Sequence, residues 1–288
     1  MKTKKQRYPG DIRSRKNSIL TALGLRSKGF FTPYDYLNSV SNEASIYPHV
    51  MDLMSGQRPR FLEFINSISA NQKFFDTFGQ GSPNPEWSSR WISPLDGAAI
   101  YTGITEFKPR RIIEVGSGNT THFMVRAIVD HTMETTVTCI DPSPRIEVSG
   151  LPVDFKQRVL SLEDLSLVQQ LEENDILFID SSHILQQGFD LDIILNHFLP
   201  ALKPGVILHF HDIFLPYSYP AEWESFRFNE QNALIGWLLS GYLDVLFSSH
   251  YVFTDMTNEL REATQEFPVV NQKSGGSVWL QKTGHKNL

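Results

Sequence analysis

Cysteine is nearly absent: Cys139 is the only one in 288 residues, so no intrachain disulfide can form. That argues for a reducing, cytoplasmic setting over a secreted, disulfide-stapled fold. Long apolar runs are also missing. Stretches such as Val206-Ile207-Leu208 fall far short of the ~20 residues needed to cross a bilayer, which excludes a membrane-spanning helix. No secretory leader is legible, because Ile19 to Leu25 is interrupted by Thr21 and Gly24 and runs into Arg26. There is no internal repeat and no glycine period, which excludes fibrous and solenoid architectures. A hydrophobic content of 41%, with 12% aromatics, excludes a disordered chain.

What is present is distributed unevenly. The net charge of −6 hides a leader, residues 1–28, whose nine Lys and Arg against the single Asp11 give +8. The rest of the chain therefore carries −14. Residues 1–29 read as a basic, flexible arm, and the acidic body argues against extended nucleic-acid binding. Residues 30–94 read as a helical cap, because Phe61, Phe64, Ile65, Ile68, Phe75 and Phe78 recur at helical spacing behind Pro59. The Gly79 to Pro85 stretch marks the internal boundary.

From residue 95 onward, short apolar strands alternate with helices. Strands are expected over 111–115, 135–140, 157–160, 175–179, 206–210, 243–247 and 277–281. Helices are expected over 120–130, 162–172, 187–199, 229–240 and 258–266. Strand–helix alternation of this kind means an α/β fold with a mostly parallel sheet covered on both faces.

Ligands bind beyond the carboxyl ends of such strands, and polar residues or glycines occupy all five of the first ends here. The first end reads Glu114-Val115-Gly116-Ser117-Gly118-Asn119-Thr120, and the second closes on Asp141. The third closes on Ser161, the fourth on Asp180-Ser181-Ser182-His183, and the fifth on His209-Phe210-His211-Asp212. Gly116 and Gly118 permit a tight turn at a helix amino end, where free N–H groups are available. Thr121 stands where a dinucleotide fingerprint has its third glycine, and Glu114 suits a cationic ligand better than a pyrophosphate. Asp141 lies 25 residues after Gly116, at the distance where an acid accepts ribose hydroxyls.

Glu114-Val-Gly-Ser-Gly-Asn-Thr followed by Asp141 resembles the first two motifs of class I S-adenosylmethionine (SAM)-dependent methyltransferases. The resemblance covers roughly residues 95–282 and implies a Rossmann-like sheet of seven strands, the last antiparallel, behind an N-terminal helical extension. It implies that Glu114 faces the amino group of the methionine part of S-adenosyl-L-methionine. Gly116, Ser117 and Gly118 would pass beneath the cofactor, Asp141 would hold its ribose, and Ser161 and Leu162 would border its adenine. Two departures stand out: Thr120 replaces the third glycine of the family pattern, and Ser161 stands where many members carry Asp. The Ile179-Asp180-Ser181-Ser182-His183 and His209 to Pro216 motifs resemble a bacterial branch acting on small molecules. They also sit where catechol and macrolide-sugar O-methyltransferases carry metal-binding acids, which points to Asp180, His211 and Asp212 as ligands of a divalent metal, Mn²⁺ or Mg²⁺. His183 has the spacing of the catalytic lysine of the catechol enzymes.

Methyl transfer to a hydroxyl needs alignment and removal of a proton, so His183, with Asp180, is the candidate catalytic group. Trp87, Trp91, Tyr217, Tyr219 and Trp223 are the candidate walls of an acceptor pocket, with Asn229 and Glu230 nearby. His209 reads as a core or supporting histidine. The reading is a SAM-dependent methyltransferase of a small-molecule acceptor, O-methylation favoured, with the oligomeric state open. Its rivals are a SAM enzyme of non-methyl chemistry, a nicotinamide oxidoreductase, and a nucleic-acid-binding module led by the arm.

Overall fold

The computed structural model describes residues 9–25, 35, 36, 39, 45–78, 84–87 and 89–284. The boundary expected at Gly79 to Pro85 falls mostly on residues outside this set, as do the two ends of the basic arm. Two compact units divide the chain: residues 46–218 with 229–288, and residues 1–45 with 219–228. In the second of these, α1 (Pro9–Ala22) forms a helix where the sequence suggested a flexible arm. Its other described element is a 3₁₀ segment, Ala221–Phe226, around which the rings of Tyr219, Trp223, Phe226 and Phe228 pack on one another, some stacked and some edge to face.

The larger unit is built on a seven-stranded sheet: β1 (Arg111–Val115), β2 (Thr136–Ile140), β3 (Asp154–Lys156), β4 (Ile176–Ile179), β5 (Ile207–His211), β6 (Leu243–Ser248) and β7 (Ser277–Lys282). The spatial order is β3-β2-β1-β4-β5-β7-β6, and β7 runs antiparallel to both neighbours. The strand bodies are almost wholly buried, as a sheet covered on both faces requires. The expected strand 157–160 is corrected to Asp154–Lys156, which pairs with Thr138 to Ile140. The apolar Val159 and Leu160 that suggested a strand lie past its end, on the wall of a cleft.

Ahead of the sheet come α2 (Pro48–Gly56), α3 (Arg58–Ala70), the short α4 (Gln72–Phe75) and α5 (Pro94–Phe107). The helical stripe of α3 is buried as its spacing demands: Phe61 and Phe64 meet Phe247 of β6 at ring separations of 6.0 and 4.4 Å. Helix α5 escaped the periodicity reading because every residue from Pro94 to Ile104 is buried, leaving no polar face to reveal a helix. Gly103 lets it lie close on the sheet, since a Cβ there would stand 2.7 Å from the Trp279 ring.

The remaining helices are α6 (Asn119–Asp130), α7 (Leu165–Val168), α8 (Asp190–Ile193), α9 (Leu199–Ala201), α10 (Glu230–Leu239), α11 (Ser249–Asp255) and α12 (Thr257–Ala263). A π turn, Ile194–Phe198, joins α8 to α9 just before Pro200, whose missing N–H interrupts the regular ladder.

Asp96 ties α5 to the sheet. It is 2% exposed, and its Oδ1 accepts from the hydroxyls of Ser249 (2.5 Å) and Ser277 (2.6 Å). Its Oδ2 accepts from Ser93 Oγ (2.7 Å) and the Gly276 N–H (3.0 Å). Four donors aimed at one buried carboxylate leave a large penalty if it is lost. D96N is expected to lower unfolding free energy by about 2–4 kcal/mol, read from the urea midpoint; no shift would show that the knot is dispensable.

Candidate active site

The strand order turns back on itself between β1 and β4, and at their carboxyl ends opens a cleft of about 490 Å³. Gly116, Ser117, Asp141, Pro142, Ser143, Arg145, Val159, Leu160 and Asp180 are among its walls. Gly116 has φ 83°, and a Cβ there would stand 1.9 Å from the Asp180 carbonyl oxygen. No other residue can occupy this position, so the glycine is required first by the neighbouring strand. Gly118 differs: a Cβ there would meet nothing within 4 Å.

The loop is held from both sides. Asp141 Oδ2 accepts from the Ser117 N–H (2.7 Å) and hydroxyl (3.3 Å), and its Oδ1 accepts from the Ser143 N–H (2.6 Å). Behind the loop Glu114 is fully buried, its carboxylate accepting from the hydroxyls of Thr120 and Thr121 (2.6 Å each) and from the Cys139 thiol (3.2 Å). Thr121 Oγ1 in turn accepts from the Gly118 N–H at 3.0 Å. Thr120, at the family's third-glycine position, and Thr121, at that of the dinucleotide fingerprint, are thus two of the groups that satisfy Glu114. Burial pushes the Glu114 carboxyl up to about 7, although its three donors pull the other way.

At the other side of Gly116, carboxylates converge on one imidazole. His183 Nδ1 lies 2.7 Å from Glu230 Oε2, while its Nε2 lies 3.4 Å from Asp180 Oδ1 and 3.3 Å from Asp212 Oδ2. Both His183 (φ 60°) and Asp212 (φ 58°) hold left-handed backbone, a conformation that costs energy away from glycine and collects at functional sites. Burial alone would lower the imidazole's pKa, but hydrogen bonds to Asp180 and Glu230 and the charge of Asp212 raise it well above the ordinary histidine range. His211 Nδ1 lies 3.2 Å from Asp212 Oδ1 and 3.9 Å from Asp180 Oδ1, and those acids raise it to about 9 against its burial. Asp180 is driven below the usual carboxylate range: His211, His183 and Arg145 outweigh the cost of its desolvation. His209 lies within the core, stacked on Phe178 at 3.9 Å, and burial holds it well below the normal range.

Among the described residues, Asp180, His183 and Asp212 form a triple whose ligand atoms all lie within 4.8 Å of one another. His183 stands in this triple, while His211, the histidine singled out from the sequence, lies beside it with Nδ1 3.2 Å from Asp212 and 3.9 Å from Asp180. The donor set of two carboxylates and one imidazole fits a divalent transition ion such as Mn²⁺ better than Mg²⁺, which prefers oxygen throughout.

The other candidates scatter. Ser161 and Leu162 follow the cleft wall made by Val159 and Leu160, and the Ser161 N–H donates to Asp164. Trp87 packs among Phe75, Phe78, Phe123 and Phe267. Trp91 is 56% exposed, with the Arg145 guanidinium 4.3 Å above its ring. The Tyr217 hydroxyl donates to Asp255, while Tyr219 and Trp223 belong to the smaller unit. Sequence reasoning placed Glu230 only near an acceptor. Its pairing with His183, 47 residues away, has no local signal.

A sequence profile described as a methyltransferase domain matches residues 113–213, spanning the glycine loop and the ends of β1 through β5. No curated protein matches this chain in sequence. Among solved structures, an O-methyltransferase from Bacillus cereus in complex with S-adenosylhomocysteine (SAH) is 14% identical, covering 82% of this chain and 96% of its own, with a TM-score of 0.42. An SAH-bound methyltransferase from Podospora anserina is 15% identical, covering 89% and 100%, with a TM-score of 0.40. The sheet order with its reversed seventh strand is that of the Rossmann-like methyltransferase fold, and the profile assigns a methyltransferase domain to residues 113–213.

The buried acid behind the loop gives a pH signature. Folded Glu114 titrates near 7, above its ordinary 4.5, so the folded state binds an extra proton between those values. Stability from this group is fully present at low pH and falls as pH rises through that window, by at most about 1.4 kcal/mol per pH unit. E114Q is expected to remove that part of the slope in urea titrations at pH 5 and pH 7; an unchanged slope would place the carboxyl's titration elsewhere.

Proposed function

We propose that this methyltransferase transfers its methyl group to a hydroxyl of a small-molecule acceptor, with His183 as the base. The single observation that carries the proposal is Asp180, which belongs at once to the cofactor cleft and to the acid–imidazole cluster. Bound SAM would supply an electrophilic methyl, which passes to an incoming oxygen as its bond to sulfur breaks and neutral SAH leaves. The chain's own part is to hold donor and acceptor in line, to exclude water, and to take the hydroxyl's proton.

The assignments along the cleft follow its polarity. The Gly116 to Gly118 loop would lie beneath the cofactor with Glu114 behind it. Asp141 would accept the ribose hydroxyls with its remaining lone pairs. The wall of Val159 and Leu160, continued by Ser161 and Leu162, would border the adenine, since an exposed apolar rim suits a flat ring. Glu230 orients the His183 ring through Nδ1, so that Nε2 faces the space beside Asp180 and Asp212. These carboxylates stabilise the imidazolium and hold the ring's pKa well above the ordinary range, so His183 takes the hydroxyl's proton only in its neutral form and the rate rises as pH approaches that value.

A second reading is favoured by the close approach of the three ligand atoms. Here Asp180, His183 and Asp212 hold a divalent cation, which supplies polarisation of the acceptor hydroxyl and fixes its direction. Both readings answer the same electrostatic demand, positive charge among three carboxylates, with a proton in one and a metal ion in the other.

Calorimetry is expected to show binding of SAH and none of NAD; NAD binding alone would overturn the cofactor reading. With a catechol as acceptor, H183N is expected to lower kcat by about 10²- to 10⁴-fold while SAH affinity stays within a few-fold. Activity that survives chelation supports His183 as base, whereas activity lost on chelation and restored by Mn²⁺ makes it a metal ligand.

A further inference from the structure

Charges in the cleft balance, with one exception. Three carboxylates line it, and each is already engaged by protein donors: Asp141 by Ser117 and Ser143, Asp190 by the Ser182 N–H and hydroxyl, and Asp180 by His183. The one basic side chain among the described lining residues is Arg145, and it makes neither an ion pair nor a hydrogen bond with any described residue.

Its guanidinium lies over the face of Trp91, 4.3 Å away, and its charge also acts on Asp180. This contact has a directional consequence. A guanidinium stacked on an aromatic ring spends its flat face and keeps its in-plane N–H fork available, and that fork matches a carboxylate in two parallel hydrogen bonds. Stacking also limits the rotamer freedom that a lone arginine would lose on binding an anion. Arg145 stands on the wall that continues from Asp141 through Pro142 and Ser143, in the cleft shared with Asp180.

We propose that Arg145, backed by Trp91, binds a carboxylate of the methyl acceptor, so that the substrate is a hydroxylated aromatic acid rather than a neutral phenol or sugar. The inference rests on the methyltransferase reading above and adds the substrate class to it. An aromatic body is favoured because Phe189 lines the cleft together with Arg145, whose guanidinium is backed by Trp91. The donor's own amino-acid carboxylate offers the same chemistry, and the test separates the two. Arg145 stands on the segment following Asp141, at the ribose end, whereas the donor's amino-acid part is assigned to the glycine loop and its helix amino end.

The probes are 3,4-dihydroxybenzoate and catechol, matched except for the carboxylate, titrated calorimetrically into full-length protein saturated with SAH in the presence of Mn²⁺. The wild type is expected to bind the acid about tenfold or more tightly than catechol. R145Q is expected to erase that preference, read as the ratio of acid to catechol affinity measured on the same SAH-saturated protein. R145K keeps the charge without the fork and is expected to retain part of it. Equal binding of the two probes by the wild type, or no binding of the acid, would overturn the proposal. A loss of SAH affinity in R145Q with the acid preference intact would assign the arginine to the donor's carboxylate instead. Failure of the wild type to bind SAH at all would sink the methyltransferase reading itself, independently of Arg145.

Discussion

Strands β1 and β4 meet at their carboxyl ends with no side chain between them. The hydrogen of Gly116 faces the Asp180 carbonyl at a separation that excludes even a methyl group. The site depends on this contact. It brings the loop after β1 against the acid after β4, so that the groups assigned to the donor and those assigned to the acceptor's proton begin one residue apart across the sheet. Family patterns put glycine here, and the reason in this chain is steric before it concerns any ligand.

The second constraint is electrostatic. Asp180, Asp212 and Glu230 surround His183 in a nearly dry region, where unpaired charge is expensive. The left-handed backbone at His183 and Asp212 is held against its own preference by the surrounding chain. A positively charged centre offsets this convergence of acids, and His183 supplies it in its protonated form.

Much of this was legible in the sequence, for reasons that can be named. Six of the seven strands announce themselves as short apolar runs ending in polar residues or glycine, and strand ends are where a parallel sheet gathers its chemistry. Glu114, Gly116, Asp141, Asp180, His183 and Asp212 were therefore visible as a group. β3 was misplaced because the apolar character of Val159 and Leu160 serves the cleft wall, and sequence cannot distinguish burial in a sheet from lining a pocket. Helix α5 was invisible because it is buried on all sides, and periodicity needs a wet face. Arg145 and Asp96 went unread, and Glu230 was placed only near the acceptor, because Trp91, Ser277 and His183, which they respectively meet, are distant in sequence. Trp87 was read as a wall of the site, yet its ring is taken up by four aromatic neighbours.

The all-round burial of α5 bears on how this protein loses its structure. A helix with no polar face cannot peel away into water as an amphipathic one can, since every side exposed would be apolar. Asp96 reinforces this by tethering the helix start to the beginning of β7. Helix and sheet therefore melt together as one cooperative unit. Proteases acting on native protein would find their first cuts in the cleft-side loops, and a fragment beginning at β1 would not be a smaller version of the enzyme but an incomplete core.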